Sequence, residues 1–128
     1  MKKLLFLIFI SAIVLTGCDQ QPGKTADSMV DAAIGVNLIE KNIQANKDLA
    51  KAQCIEICRQ AQREFMVLNI GPCLGNPIAN MAEWVCDVAH SPRQDVDNKI
   101  ENQCSSFAEG SAKHFVEVDP DCNFIKNY

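Results

Sequence analysis

The chain has 128 residues and a formal net charge of −4, one domain's worth of polypeptide. Beyond residue 17 it carries 10 basic and 16 acidic residues, and from Glu64 to Tyr128 ten acids stand against Arg93, Lys99, Lys113 and Lys126. That balance excludes the basic footprint of a nucleic-acid binder and a surface that lies flat on anionic lipid. A solvated acidic surface is the plain reading of it.

In chain order, Lys2 and Lys3 open a short basic start, and an apolar run follows from Leu4 to Leu15, relieved only by the small Ser11 and Ala12. It closes on Leu15-Thr16-Gly17-Cys18. Positive, apolar and small-residue regions in that order make a secretory signal segment. The run is shorter than the ~20 residues that span hydrocarbon, which argues against a transmembrane anchor. The last four residues resemble the lipobox of bacterial lipoproteins. The resemblance implies that Cys18 is lipidated on its thiol, palmitate-type acyl chains included, and becomes the mature N-terminus after cleavage. Each buried methylene contributes about 0.8 kcal/mol, so two or three chains make release slow. Asp19 resembles the signal that keeps such proteins on the inner membrane of two-membrane cells; with one membrane, the domain faces the exterior.

Six cysteines remain: Cys54, Cys58, Cys73, Cys86, Cys104 and Cys122. An even set in an exported small domain reads as three disulfides, with 15 possible connectivities. Each stabilises by ~2–4 kcal/mol, mostly by restricting the unfolded chain.

Asp19 to Thr25 reads as a tether. From about Ala26 to Leu68 the pattern is helical, with Met29, Ala32, Val36, Ile39 and Ile43 at spacings of three and four. The stripe weakens at Asn46, Ala50 and Gln53 and recovers at Ile57, Ala61, Phe65 and Leu68. Thr25 or Asp27 can cap the start, and no proline occurs between Pro22 and Pro72. One long helix, or two in series with a soft point near residues 44–48, both satisfy the pattern. The stripe packs on the protein's own core or, as the lesser option, forms a seam for self-association. Cys54 and Cys58 share one helix face and are badly placed to bridge each other. Each is expected to reach a different later cysteine.

Gly71-Pro72 and Gly75 break the helix, with Cys73 in the loop. Asn76-Pro77 reads as an N-cap and a proline at the first helical position. Ile78, Met81, Val85 and Val88 extend that helix to about His90, although Trp84, Cys86 and Val88 also alternate as a strand would. If this helix folds back on the first, Cys58 and Cys86 lie at similar heights, about 13–15 Å from the turn, and a Cys58–Cys86 bridge is expected. A third helix spans Asn98 to Glu109, ending at Gly110. Residues 114–118 are branched and alternating, an extended segment. Trp84 is expected in the core, against a disulfide.

For chemistry, Cys54, Cys58, Cys86 and His90 have a zinc-like spacing, but an exported chain favours disulfides. No C-x-x-C of the thioredoxin type occurs. Asp95, Asp97 and Glu101, with Asp87 nearby, cluster in sequence but fail the EF-hand spacing, since Ile100 and Ser106 occupy the required glycine and glutamate positions. His90 and His114 are the two histidines, and no hydrolase motif accompanies them. Glu83, Asp87 and Glu109 are the candidates for a carboxylate pair.

The expected architecture is mainly α: a long N-terminal helix, two or three shorter helices and an extended segment at 114–118, stapled by three disulfides. Residues 1–17 form a lipoprotein signal peptide, 18–25 a lipidated tether and 26–128 a single disulfide-rich helical domain. The expected role is non-enzymatic, binding or structural, at the cell envelope: membrane-anchored through lipid, with a protein partner, no nucleic acid and no cofactor. The alternatives are a small envelope enzyme or metal-binding protein using His90, His114 and nearby acids, or an inhibitor of an exported hydrolase.

Overall fold

A computed structural model describes residues 26–128, with side chains from Ile34 onward. The signal segment, the lipidation site Cys18 and the tether lie outside the described residues. The chain forms one long helix, α1 (Ala26–Arg63), then strands β1 (Cys73–Gly75) and β2 (Trp84–Val88), a single-turn helix α2 (Ser105–Ala108), and strands β3 (His114–Val118) and β4 (Phe124–Asn127). The fold is therefore α+β, which corrects the mainly α expectation.

Helix α1 is unbroken through residues 44–48, so the two-helix alternative fails. It stops at Arg63, short of Leu68, on a left-handed Phe65 (φ 57°). Met66 N–H donates to the Ala61 carbonyl at 2.9 Å and Phe65 N–H to that of Gln62 at 3.0 Å, the Schellman pattern that satisfies a helix end. Phe65 is 92% exposed and is not on the buried stripe. The stripe is carried instead by Ala50, Cys54, Cys58 and Ala61. These are small side chains at helical spacing, so the helix axis can sit close on the sheet. Upstream of Ala50 the apolar side chains Ile34, Val36, Leu38, Ile39 and Ile43 are exposed, so that half of the stripe does not pack on the protein's own core.

The sheet runs β1-β2-β3-β4, with β1/β2 and β3/β4 antiparallel and β2/β3 parallel. The expected second helix is absent: residues 84–88 are strand β2, buried on both faces, and Asn76 caps no helix of its own. Asn76 Oδ1 instead accepts from the Ser106 backbone N–H at 2.8 Å, while its Nδ2 donates to Ser105 Oγ at 2.8 Å, holding the start of α2 from across the fold. The expected third helix is broken into 3₁₀ turns at Asp95–Asn98 and Ile100–Asn102, followed by α2. Residues 114–118 are extended, as β3.

Parallel β2 and β3 require a crossover, and residues 89–113 provide it. Two apolar layers result. Trp84, Cys86, Val88, Val116 and Val118 face α1, while Val85 and Phe115 face the crossover with Cys104 and Ala112. The bridges are Cys54–Cys86, Cys58–Cys122 and Cys73–Cys104. Cys58 and Cys86 thus take other partners, which corrects the expected Cys58–Cys86 pair. A strand advances about 3.3 Å per residue against 1.5 Å for a helix, so heights along a supposed helix do not apply to Cys86.

Candidate functional site

Alternation along β2 and β3 turns Asp87 and Glu117 to the crossover side. The register then aligns one residue from each strand into a row: Cys73 with Asp87, Asp87 with Glu117, and Glu117 with Lys126. The crossover adds Arg93. Its Nη1 donates to Glu117 Oε1 at 2.6 Å, its Nη2 to the Asp97 carbonyl at 3.1 Å and its Nε to Asn98 Oδ1 at 2.9 Å. Lys126 Nζ lies 3.3 Å from the other Glu117 oxygen. Glu117 is only 6% exposed, and a cation meets each of its two carboxyl oxygens.

Asp87 has no such partner. Its Oδ1 is buried without a hydrogen bond. Burial first, and the neighbouring charge of Glu117 second, push its carboxyl up to about 7; Asp97 adds to the rise and Arg93 opposes it. Asp87 lines a cavity of about 210 Å³ with Val85, Arg93, Gln103, Cys104 and Phe107, closed by Phe115 and Glu117. That volume lies below the roughly 300 Å³ at which metabolite-sized pockets begin. The space suits several waters or a small ring-sized group. Asp87 and Cys104 both line the cavity, and the ligating atoms of Cys73, Asp87 and Cys104 all lie within 4.8 Å of one another.

The residues singled out by sequence are distributed differently. His90 Nδ1 lies 2.8 Å from Asp97 Oδ1, and Asp97 Oδ2 accepts the backbone N–H groups of His90 at 3.1 Å and Gln94 at 2.7 Å. Burial tends to raise the Asp97 carboxyl, but the hydrogen bonds from Gln94 and His90 and the charge of His90 outweigh it and hold the carboxyl below its ordinary value. Asp97 is 2% exposed with both oxygens committed. It is a structural anchor and does not join Asp95 and Glu101, which are exposed, in a cation loop. His114 stacks on Trp84 with ring centroids 4.7 Å apart, and its Nδ1 is 3.1 Å from the Tyr128 carbonyl. A carbonyl only accepts, so that nitrogen carries the proton. Trp84 is buried in the helix-side core.

His90 follows the C-terminal end of β2, and His114 starts β3 in register with Trp84. The six residues from 84 to 90 put the two histidines about 20 Å apart at ~3.3 Å per residue, so no cleft gathers them. Glu83 pairs with Lys113 on the surface at 3.2 Å, and Glu109 is exposed. Cys54, Cys58 and Cys86, three of the zinc-like set, are in disulfides. Sequence reasoning missed Glu117 and Arg93. The alternation of residues 114–118 places Phe115 and Glu117 on one face, but the parallel register that brings Asp87 beside Glu117 has no local signal.

No family model, curated protein or solved structure matches this chain. What defines the site is a half-buried carboxyl with one unpartnered oxygen, set between a disulfide and an ion-paired glutamate.

Proposed function

We propose that this chain is a lipid-anchored protein of the cell envelope with a non-enzymatic binding or structural role. The observation that carries the proposal is the division of its seven cysteines: one closes a lipobox-like segment, and the other six form three bridges. Bridges of that number belong to an oxidising compartment. No helix among the described residues is long and apolar enough to cross a membrane, and the lipobox-like segment ending at Cys18 supports attachment through lipid. The half of α1 upstream of Ala50, about 36 Å long at 1.5 Å per residue, is a spacer. It offers the bridged, acidic head to a protein partner away from the bilayer. The rigidity of that head, held by three bridges, supports a role as a binding surface.

The test is the native protein's intact mass together with fractionation of cells making the wild type and Cys18→Ser. Supporting results are an acyl increment on a chain that starts at Cys18, and release of the variant from the membrane fraction. Recovery of an unacylated wild type, or a variant that stays membrane-bound, overturns the proposal.

A further inference from the structure

The three bridges differ in their surroundings. Cys54, Cys86, Cys58 and Cys122 belong to the buried layer under α1. Cys73 lies on β1, at the edge of the sheet, and is half-buried. Its partner Cys104, 3% exposed, borders the cavity. Among the described residues, this is the one bridge with a carboxyl grouped within 4.8 Å of both sulfurs. The carboxyl oxygen Oδ1 of Asp87 has no other partner to serve.

We infer that Cys73–Cys104 is an exchangeable disulfide, opened by a dithiol reductant, with the Asp87 carboxyl as the proton donor to the departing Cys104 sulfur. This goes beyond the envelope reading and does not depend on acylation. A thiolate of the reductant attacks the sulfur of Cys73, the less buried of the two cysteines, which lines a surface hollow with Ile57 and Leu74. The Cys73–Cys104 bond breaks as a mixed disulfide forms on Cys73. The electron pair goes to Cys104, which takes the Asp87 proton and becomes a thiol, leaving a carboxylate that water reprotonates. The reductant's second thiolate then attacks its own bonded sulfur, and Cys73 leaves and takes a proton from water. The reductant ends as a disulfide and the protein gains two thiols. In reverse, the Asp87 carboxylate removes the Cys104 proton and the bridge closes against a disulfide oxidant.

The site favours a neutral Cys104. Its sulfur lies among Val85, Ala112 and Phe115, where a thiolate is poorly solvated. It is 3.4 Å from the Cys86 carbonyl and 3.8 Å from that of Gly75, acceptors that a thiol can use and a thiolate cannot. The charged groups around Asp87 are Glu117 from β3, held by Arg93 and Lys126, and Asp97 from the crossover. From β1 comes only the Cys73 sulfur, from α2 only Phe107, and from the stretch just before α2 the Cys104 sulfur and the uncharged Gln103.

The experiment treats the oxidised full chain with limiting dithiothreitol from pH 5 to 9 and maps alkylated cysteines by mass, for wild type, Asp87→Asn and Asp87→Glu. The expected result is that Cys73–Cys104 opens first, at least about tenfold faster than either other bridge. Its rate per reagent thiolate falls in the wild type as pH rises through about 7, and Asp87→Glu keeps that fall. In Asp87→Asn the profile is flat and the rate at pH 6 is about tenfold lower. Earlier opening of another bridge overturns the inference, as does a wild-type rate per thiolate that is level across pH 5–9, a reading independent of whether the variants fold. An unchanged profile in a folded Asp87→Asn overturns it as well.

Discussion

Asp87 and Glu117 face each other across the parallel strands β2 and β3, two acids side by side with different means of neutralisation. Glu117 has Arg93 and Lys126; Asp87 has neither, and its carboxyl is pushed up to about 7. A pair of adjacent carboxylates cannot both stay charged in a partly buried site without cations for each. Only Glu117 is within reach of the two basic side chains.

Stability should therefore fall with rising pH over a definite window. The Asp87 carboxyl moves from 3.8 to about 7 on folding, so between those values the native state binds a proton that the unfolded state has released. The resulting loss begins near pH 4, grows to about pH 7 and is complete above it. Urea unfolding of Asp87→Asn is expected to show a flatter dependence, with a gain of about 2–4 kcal/mol over wild type at pH 8 and little difference at pH 4. Equal slopes for the two proteins between pH 4 and 7 would contradict this.

Arg93→Met leaves a buried carboxylate with only Lys126. The expected loss is about 1–3 kcal/mol at pH 7, because an uncompensated charge in a dry site costs more than the pair contributes. Adding Glu117→Gln should return most of it. Chemical denaturation of both single variants and the double variant measures the coupling, and strictly additive losses would speak against the contact.

Gly71 adopts φ +68°, and a Cβ there would meet Asp97 Oδ1 at 2.8 Å and the Val88 carbonyl at 3.2 Å. Asp97 cannot swing aside without releasing the His90 and Gln94 N–H groups it accepts from. Gly71→Ala should cost about 2 kcal/mol or more from strain and the lost hydrogen bonds together. A lowered melting temperature with all three bridges intact by mass is the expected reading.

Phe65 presents the opposite case. It occupies the left-handed position that ends α1, where glycine carries no steric penalty. Its ring is almost fully exposed and packs on nothing that would be lost. Phe65→Gly is expected to stabilise by about 0.5–1 kcal/mol, the relief of left-handed strain exceeding the added freedom of the unfolded chain. Thermal unfolding checks the sign.

Local signals made α1 readable. Three-and-four spacing on both sides of the weak stretch at residues 46–53, with no proline, is enough to specify a helix, although its end at Arg63, well before Gly71-Pro72, was not legible. Residues 114–118, branched and alternating, were likewise extended on their own terms. Residues 84–88 were not readable in this way. Trp84, Val85, Cys86 and Val88 fit a buried strand as well as a helix face, and the choice fell to strand because α1 covers one side and the crossover the other. Disulfide pairing had the same origin. Cys54 and Cys58 lie one turn apart on one face, and only the placement of β2 and of the loop after β3 decided which sulfur each would meet. The candidate site is a product of register: Asp87, Glu117 and Cys73 are far apart in the chain and become neighbours because strands pair at fixed residues. Helix and turn preferences come from steric limits within a few residues, which is why the long α1 was legible in the sequence while the helices expected after Gly75 were not. Partner, register and burial are decided by contacts between distant segments, and those exist only once the chain has folded.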